Sequence, residues 1–293
     1  MRNEQQMYDL IMKTAEDDQR IRAVFMNGSR VNENVPKDIF QDYDIVYVVT
    51  DVKSFYEDEH WIDRFGERLY MQMPEKNDSL LGQDIDLNES FGWLIQFADG
   101  NRLDLHVMGI ETAQCRIKLD KLCRILLDKD NILPEIVPPT DEDYYVKKPS
   151  QDEFLCCANE FWWCLNNVAK GLWRKEIPYV QDNLNFYIRP ELVEMLSWKI
   201  GIRTDFSVSI GKSGKYLKNY LSEDEYNRFI STYSDGKTEN IWNSVEIMCC
   251  LFDETARFVA QKLDFYYNTQ EAQASIKHLN HVKNLPADAL GIY

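Results

Sequence analysis

The chain has 293 residues, 44% of them hydrophobic and 13% aromatic, with a formal net charge of −16. That length allows two domains with cores of their own, and the composition excludes a disordered chain. With no Lys/Arg tract to follow a phosphate backbone, a nucleic-acid polymer is excluded as a partner and a cationic small molecule is favoured, although the acidity could equally serve solubility alone.

The N-terminal segment MRNEQQMYDLIMKTAEDD is acidic and has no unbroken apolar core, so it does not read as a signal peptide. Within it Met7, Leu10, Ile11 and Ala15 recur at helical spacing. No apolar run approaches the roughly 20 residues needed to span a bilayer, and a cytoplasmic location is expected. A strand is predicted at IRAVFMN, ending on Gly28-Ser29, and another at YDIVYVV, with Pro36 in the intervening loop where a missing N–H does no harm. A helix is predicted around EDEHWIDRF, a strand at RLYMQM, and a hairpin over SFGWLIQFADGNRLDLHVMG, turning at Asp99-Gly100. This half reads as mixed α/β.

Beyond CRILLDKD the prolines Pro134, Pro138, Pro139 and Pro149 mark a linker crossing the surface. Ser150 with Glu153 forms a capping-box pattern ahead of the aromatic-rich helical stretch EFLCCANEFWWCLNNVAKGLW, and helical periodicity dominates from there on. The expected division is therefore 1–140, mixed sheet and helices, and 141–293, a helical bundle. Seven cysteines include the vicinal pairs Cys156-Cys157 and Cys249-Cys250. Neither pair has zinc-ligand spacing, and all seven are read as reduced thiols, mostly in the core.

The chemistry concentrates between residues 26 and 49. Residues i and i+2 of a strand share a face about 6.5–7 Å apart, so Asp42 and Asp44 point together at the head of a buried, β-branched strand. Two like charges there repel and resist desolvation, and a divalent cation removes both penalties. In RLDLHVM, Asp104 and His106 face away from Leu103, Leu105 and Val107. Asp104 reaches the aspartate pair if its strand lies beside the first. Three carboxylates suit Mg²⁺, with phosphate oxygens or waters completing an octahedron, and a two-ion site would activate a hydroxyl and stabilise a phosphate in flight. Gly28 permits close backbone approach, and Ser29 offers a hydroxyl and an N–H to phosphate at a predicted helix start. Alone, a Gly-Ser after a strand is more often a turn, and a D-x-D more often a solvated strand end. The ordered combination is far more specific.

The order GS, DYD, LDL resembles the nucleotidyltransferase superfamily with the polymerase-β-like core. More narrowly, IRAVFMNGSR, VPKDIFQDYDIVYVVTDV, DGNRLDL and LSWKIGIRTDFSVSIGKSGKYLKNYL resemble the aminoglycoside 6-adenylyltransferases that modify streptomycin, over nearly the whole chain. The resemblance implies an α+β protein, with a polymerase-β-like nucleotidyltransferase domain followed by an all-α bundle. It also implies transfer of AMP from ATP to a hydroxyl of the antibiotic, with Mg²⁺ and release of pyrophosphate. Carried over by position, Asp42 and Asp44 hold metal, Gly28 and Ser29 hold the triphosphate, and Asp104 is a metal ligand, the general base, or both. Between Met73 and Phe91 the sequence departs from the proline-containing stretch of the streptomycin enzymes. Other acceptors therefore stay open: another aminoglycoside, a lincosamide-like antibiotic or a protein hydroxyl. A non-catalytic binder of a cationic ligand is the remaining alternative.

Further candidates surround this frame. Lys212, Lys215 and Tyr216, on the Gly-rich SIGKSGKYL segment, are expected to bring charge to the phosphates, as is Arg30 unless it caps its own loop. Lys199, inside an apolar helical run, is a weaker candidate. Glu160, Trp163 and Asp182 are candidates for binding a polycationic acceptor by charge pairing and cation–π contact, with core packing the competing role for the tryptophan. His106 is read as structural.

Overall fold

Six apolar, β-branched runs form strands β1 (Ile21–Asn27), β2 (Tyr43–Val49), β3 (Arg68–Gln72), β4 (Ser90–Phe97), β5 (Arg102–Gly109) and β6 (Cys123–Asp128). The computed structural model describes all residues from Met1 to Tyr293. The strands make one sheet in the order β3-β4-β5-β2-β1-β6. All neighbours are antiparallel except β2 and β5, which run parallel. The β4–β5 hairpin turns at Gly100, whose φ of +89° explains the glycine.

Both sheet faces are covered. On one, Tyr43, Ile45, Tyr47, Leu103, Leu105 and Val107 pack with Met7 and Ile11 of the Glu4–Asp17 helix and with Trp61. On the other, Ala23, Phe25, Val46, Val48 and Met108 pack against Ala113 and Ile117. Burying each large apolar side chain contributes roughly 1.5–3 kcal/mol. Asp44 and Asp104 belong to this second face, at the end where the apolar rows stop.

One expectation is corrected here. The single helix predicted over 57–65 is absent: a short turn at Lys53–Tyr56 is followed by a 3₁₀ segment at Trp61–Phe65. The Asp58 carboxylate accepts from the His60 N–H, a local turn that competes with helix and lets Phe55 and Trp61 enter one aromatic cluster at 4.8 Å between ring centres. The divergent stretch after Met73 is partly helical, over Pro74–Leu80, with proline at its first turn.

The chain separates into two units, Met1–Asp143 and Tyr144–Tyr293. The second is helical throughout. Ser150 opens the Gln151–Trp173 helix with a capping box in which its hydroxyl accepts from the Glu153 N–H at 3.2 Å and the Glu153 carboxylate accepts from the Ser150 N–H at 2.7 Å. Phe161 of that helix stacks on Phe252 of the Thr238–Leu263 helix, 3.7 Å between ring centres. All seven cysteines are free thiols, with Cys123, Cys157, Cys164 and Cys249 buried. No helix is long and apolar enough to cross a membrane.

Lys199 is neither exposed nor free. Its ammonium lies 2.5 Å from the Glu225 carboxylate, with both side chains nearly buried, and Arg203 reaches the same carboxylate at 3.1 Å. Burial alone would raise the Glu225 pKa, but the Arg203, Lys199 and Ser222 hydrogen bonds hold it well below the usual carboxylate range. A depressed folded pKa stabilises the fold above the unfolded value, about 4.3, and that stability is lost as pH falls below it. Glu225→Gln should therefore cost about 3 kcal/mol at pH 7 in denaturant unfolding. The gap to the parent protein should shrink below about pH 4.

Candidate active site

Parallel pairing sets Asp44 of β2 directly opposite Asp104 of β5, and antiparallel pairing sets Asn27 of β1 opposite Asp44. Register partners share a face, so a polar row, Asn27, Asp44, Asp104, runs across three adjacent strands. Asp42, just ahead of β2, joins it. Ligand oxygens of Asp42, Asp44 and Asp104 all lie within 4.8 Å of one another. Burial, then the charges of Asp42 and Asp104, push the Asp44 carboxyl up to about 7.

Arg102 pairs directly with these carboxylates, and the charge of Arg30 also favours ionised Asp44. Arg102 donates from Nε to Asp104 Oδ1 at 2.8 Å and from Nη2 to Asp104 Oδ2 at 2.6 Å, and its Nε lies 3.7 Å from Asp42 Oδ2. Arg102 was not singled out from the sequence, although its place two residues before Asp104, on the same strand face, was the available signal.

Gly28 is required twice over. Its φ is +79°, and a Cβ there would stand 2.0 Å from Asp44 Oδ2. The Gly-Ser pair and the second aspartate are therefore in direct contact. Ser29 opens a single 3₁₀ turn, Ser29–Val31, rather than a long helix. Its carbonyl accepts from Gln41 Nε2 at 3.3 Å, which ties the loop back on itself.

Arg30, expected either at the nucleotide or as a cap of its own loop, makes the loop contacts. Its Nε donates to the Asp42 carbonyl at 2.9 Å and its Nη2 to the Gln41 carbonyl at 2.7 Å, while the guanidinium lies 3.6 Å from the Tyr43 ring centre. It thereby fixes the backbone that presents Asp42. Asn34 anchors the same loop to the buried Asp141 at 2.8 Å.

Further along the face, Glu75 of the Pro74–Leu80 helix accepts from the Gly92 N–H at 2.9 Å and lies 3.5 Å from His106 Nε2. Burial lowers the His106 pKa against the opposing pull of Glu75 and Asp104. The shift favours the neutral imidazole.

The remaining candidates belong to the second unit. Lys212 and Lys215 flank a turn with Gly211, Ser213 and Gly214 at positive φ, and the Lys215 ammonium lies 4.9 Å from the Tyr216 ring centre. Glu160 lines a cavity of about 580 Å³ with Glu153, Glu191, Glu194 and Trp198, and the cations Lys147 and Lys148 line it too. Burial raises the pKa of both Glu191 and Glu194. Trp163 is 68% exposed, so core packing does not explain it, whereas its neighbour Trp162 is buried. Neither Trp163 nor the exposed Asp182 lines the Glu160 cavity. Glu191 and Glu194, missed in the sequence, sit three residues apart on the Arg189–Arg203 helix, where they read as an ordinary solvated stripe.

The donor set near β2 and β5 fits a hard divalent cation. It holds three carboxylates, a surplus of negative charge that Arg102 offsets only in part, and a buried Asn27 Oδ1 with no hydrogen-bond donor. The family model described as streptomycin adenylyltransferase matches residues 1–282. The chain belongs to the streptomycin adenylyltransferase family. Members similar to it include the aminoglycoside 6-adenylyltransferase of Campylobacter jejuni, 41% identical over 275 residues and covering 94% of each chain. That of Bacillus subtilis (strain 168) is 41% identical over 268 residues, covering 91% of this chain and 93% of the relative. That of Staphylococcus aureus is 34% identical over 286 residues, covering 97% and 96%. A solved aminoglycoside 6-adenyltransferase from Bacillus subtilis, 35% identical, aligns over 97% of this chain and 100% of its own, with a TM-score of 0.48. This streptomycin adenylyltransferase family member is accordingly an enzyme, a nucleotidyltransferase of mixed α+β architecture.

The raised Asp44 pKa has a thermodynamic consequence. The fold favours the neutral carboxyl, so Asp44 destabilises the metal-free protein progressively as pH rises from about 4 towards 7. Asp44→Asn should make the chelator-treated protein more stable at pH 8, by on the order of 2–4 kcal/mol. The difference should vanish below about pH 4. Equal or lower stability at pH 8, by thermal unfolding in chelator, would contradict this electrostatic account.

Proposed function

We propose that this enzyme transfers AMP from MgATP to the 6-hydroxyl of streptomycin, releasing pyrophosphate and conferring resistance to the drug. The observation that carries this reading is the convergence of Asp42, Asp44 and Asp104 against Gly28, in a chain 34–41% identical to aminoglycoside 6-adenylyltransferases. Asp42, Asp44 and Asp104 would hold Mg²⁺, which when bound neutralises charge on the phosphates. Gly28 lets the triphosphate approach the backbone, and the Ser29 hydroxyl donates to its oxygens. The acceptor hydroxyl attacks the α-phosphorus in line: the new O–P bond forms as the bond to the β-phosphate's bridging oxygen breaks, and pyrophosphate departs with the electron pair. Asp104, in the polar row, accepts the hydroxyl proton. Lys212 and Lys215 supply positive charge to the departing phosphates, with Tyr216 fixing their turn. Glu160, together with Glu191 and Glu194, receives the guanidinium groups of the acceptor, and Trp163 and Asp182 extend that acidic, aromatic surface. In this reading nucleotide chemistry belongs to the 1–140 domain and the acceptor surface to the helical 141–293 domain.

A different aminoglycoside as acceptor is the second reading. It is favoured by the 73–91 segment, whose Glu75 side chain contacts His106, two residues beyond Asp104.

Pyrophosphate release from MgATP, measured with streptomycin and a panel of other aminoglycosides and with product masses recorded, tests the proposal. A streptomycin product heavier by one adenylyl group is expected. Product only with another compound would move the acceptor and leave the chemistry in place. No pyrophosphate with any member of the panel would contradict the proposed reaction.

A further inference from the structure

The guanidinium of Arg102 does more than balance charge in general. It takes both oxygens of Asp104, at 2.8 and 2.6 Å, and leans towards Asp42 at 3.7 Å. It is the one cationic side chain within ion-pair distance of any of the three aspartates. A fork-to-fork pair of this kind fixes the carboxylate plane and occupies the lone pairs best placed for a cation. The Asp104 side chain is only 13% exposed, whereas that of Arg102 is 48% exposed. The carboxylate is thus held in place while the arginine is free to swing into solvent.

Resting on the reading of the aspartates as the cation site, we propose that Arg102 is an internal counter-ion that competes with the divalent cation for Asp104. In the cation-free enzyme it holds Asp104 and damps the mutual repulsion of the carboxylates. When cation and nucleotide load, a guanidinium beside a divalent charge is repelled, releases Asp104 and turns to the phosphate oxygens, which it suits by the same bidentate geometry. Arg102 is therefore a positioning residue for Asp104 before loading and a phosphate ligand after it. No covalent change is involved.

The competition gives effects of opposite sign on two ligands, which a purely structural arginine would not. Mn²⁺ binding to the full-length protein without nucleotide, followed by the paramagnetic resonance of free Mn²⁺, should be about three- to tenfold tighter in Arg102→Gln than in the parent. Binding of a non-hydrolysable ATP analogue in the presence of Mn²⁺ should be weaker in the same variant. Arg102→Lys keeps the charge and loses the fork, so its nucleotide affinity should recover in part while Mn²⁺ alone still binds more tightly than to the parent. Circular dichroism and the melting midpoint check that each variant is folded. Mn²⁺ affinity unchanged or lowered in both variants, with Mn²⁺ binding abolished by Asp44→Asn, would overturn the counter-ion role and leave the cation site standing. Mn²⁺ binding that is absent from the parent, or indifferent to Asp44→Asn, would overturn both.

Discussion

Like charges gathered at the end of one sheet are the constraint on which the rest of this site depends. The parallel pairing of β2 and β5 sets Asp44 against Asp104, and Asp42 enters from the preceding loop. Without a cation this arrangement raises the free energy of the folded state, and the neighbouring structure is organised around it. Gly28 has no side chain because Asp44 occupies that space. Arg30 locks the Gln41 and Asp42 carbonyls, and Arg102 covers Asp104. A sheet end this crowded with carboxylates carries a stability cost, and clusters of this kind concentrate at functional sites.

The second unit shows a related device at a different scale. Glu160, Glu191 and Glu194 surround one cavity, and burial makes two of them harder to ionise. Under the proposed function, a cationic acceptor would lower that electrostatic cost as it bound. By contrast, Glu225 is fully answered by Lys199 and Arg203 and serves the packing of its own helices. The two sets differ in how closely they are paired: Glu225 is held by direct ion pairs, whereas Lys147 and Lys148 share the lining of the Glu160 cavity with four glutamates.

How much of this was legible in the sequence follows from how local each signal is. The strand ending on Gly28-Ser29, the Asp42–Asp44 spacing, the Asp99-Gly100 hairpin and the Ser150–Glu153 cap are each set within a few residues, and each appears where the pattern puts it. The family resemblance reached the fold because its motifs sit on those local elements. The 57–65 helix failed because Asp58 bonds to the His60 N–H and breaks the helical run, while periodicity alone sees only Trp61, Ile62 and Phe65 at helical positions. The sequence leaves Arg30 between the nucleotide and its own loop, because adjacency to a Gly-Ser pair says nothing about which way a long side chain turns. Asn27 and Glu75 gain meaning only from strand register and from contacts across the sheet, which no single segment encodes, whereas Arg102 has a local signal in its i,i+2 spacing to Asp104. Trp162 and Trp163, adjacent and alike in sequence, have opposite fates because the helix rotates one of them into the core.

The central claim is that Asp42, Asp44 and Asp104 form the cation site of the transfer reaction. The most direct measurement is anomalous diffraction from crystals of the enzyme grown with Mn²⁺ and a non-hydrolysable ATP analogue. The account predicts an anomalous peak in contact with the Asp42 and Asp44 carboxylates, beside the triphosphate. Nucleotide bound with Mn²⁺ elsewhere, and the three aspartates left without metal, would contradict it.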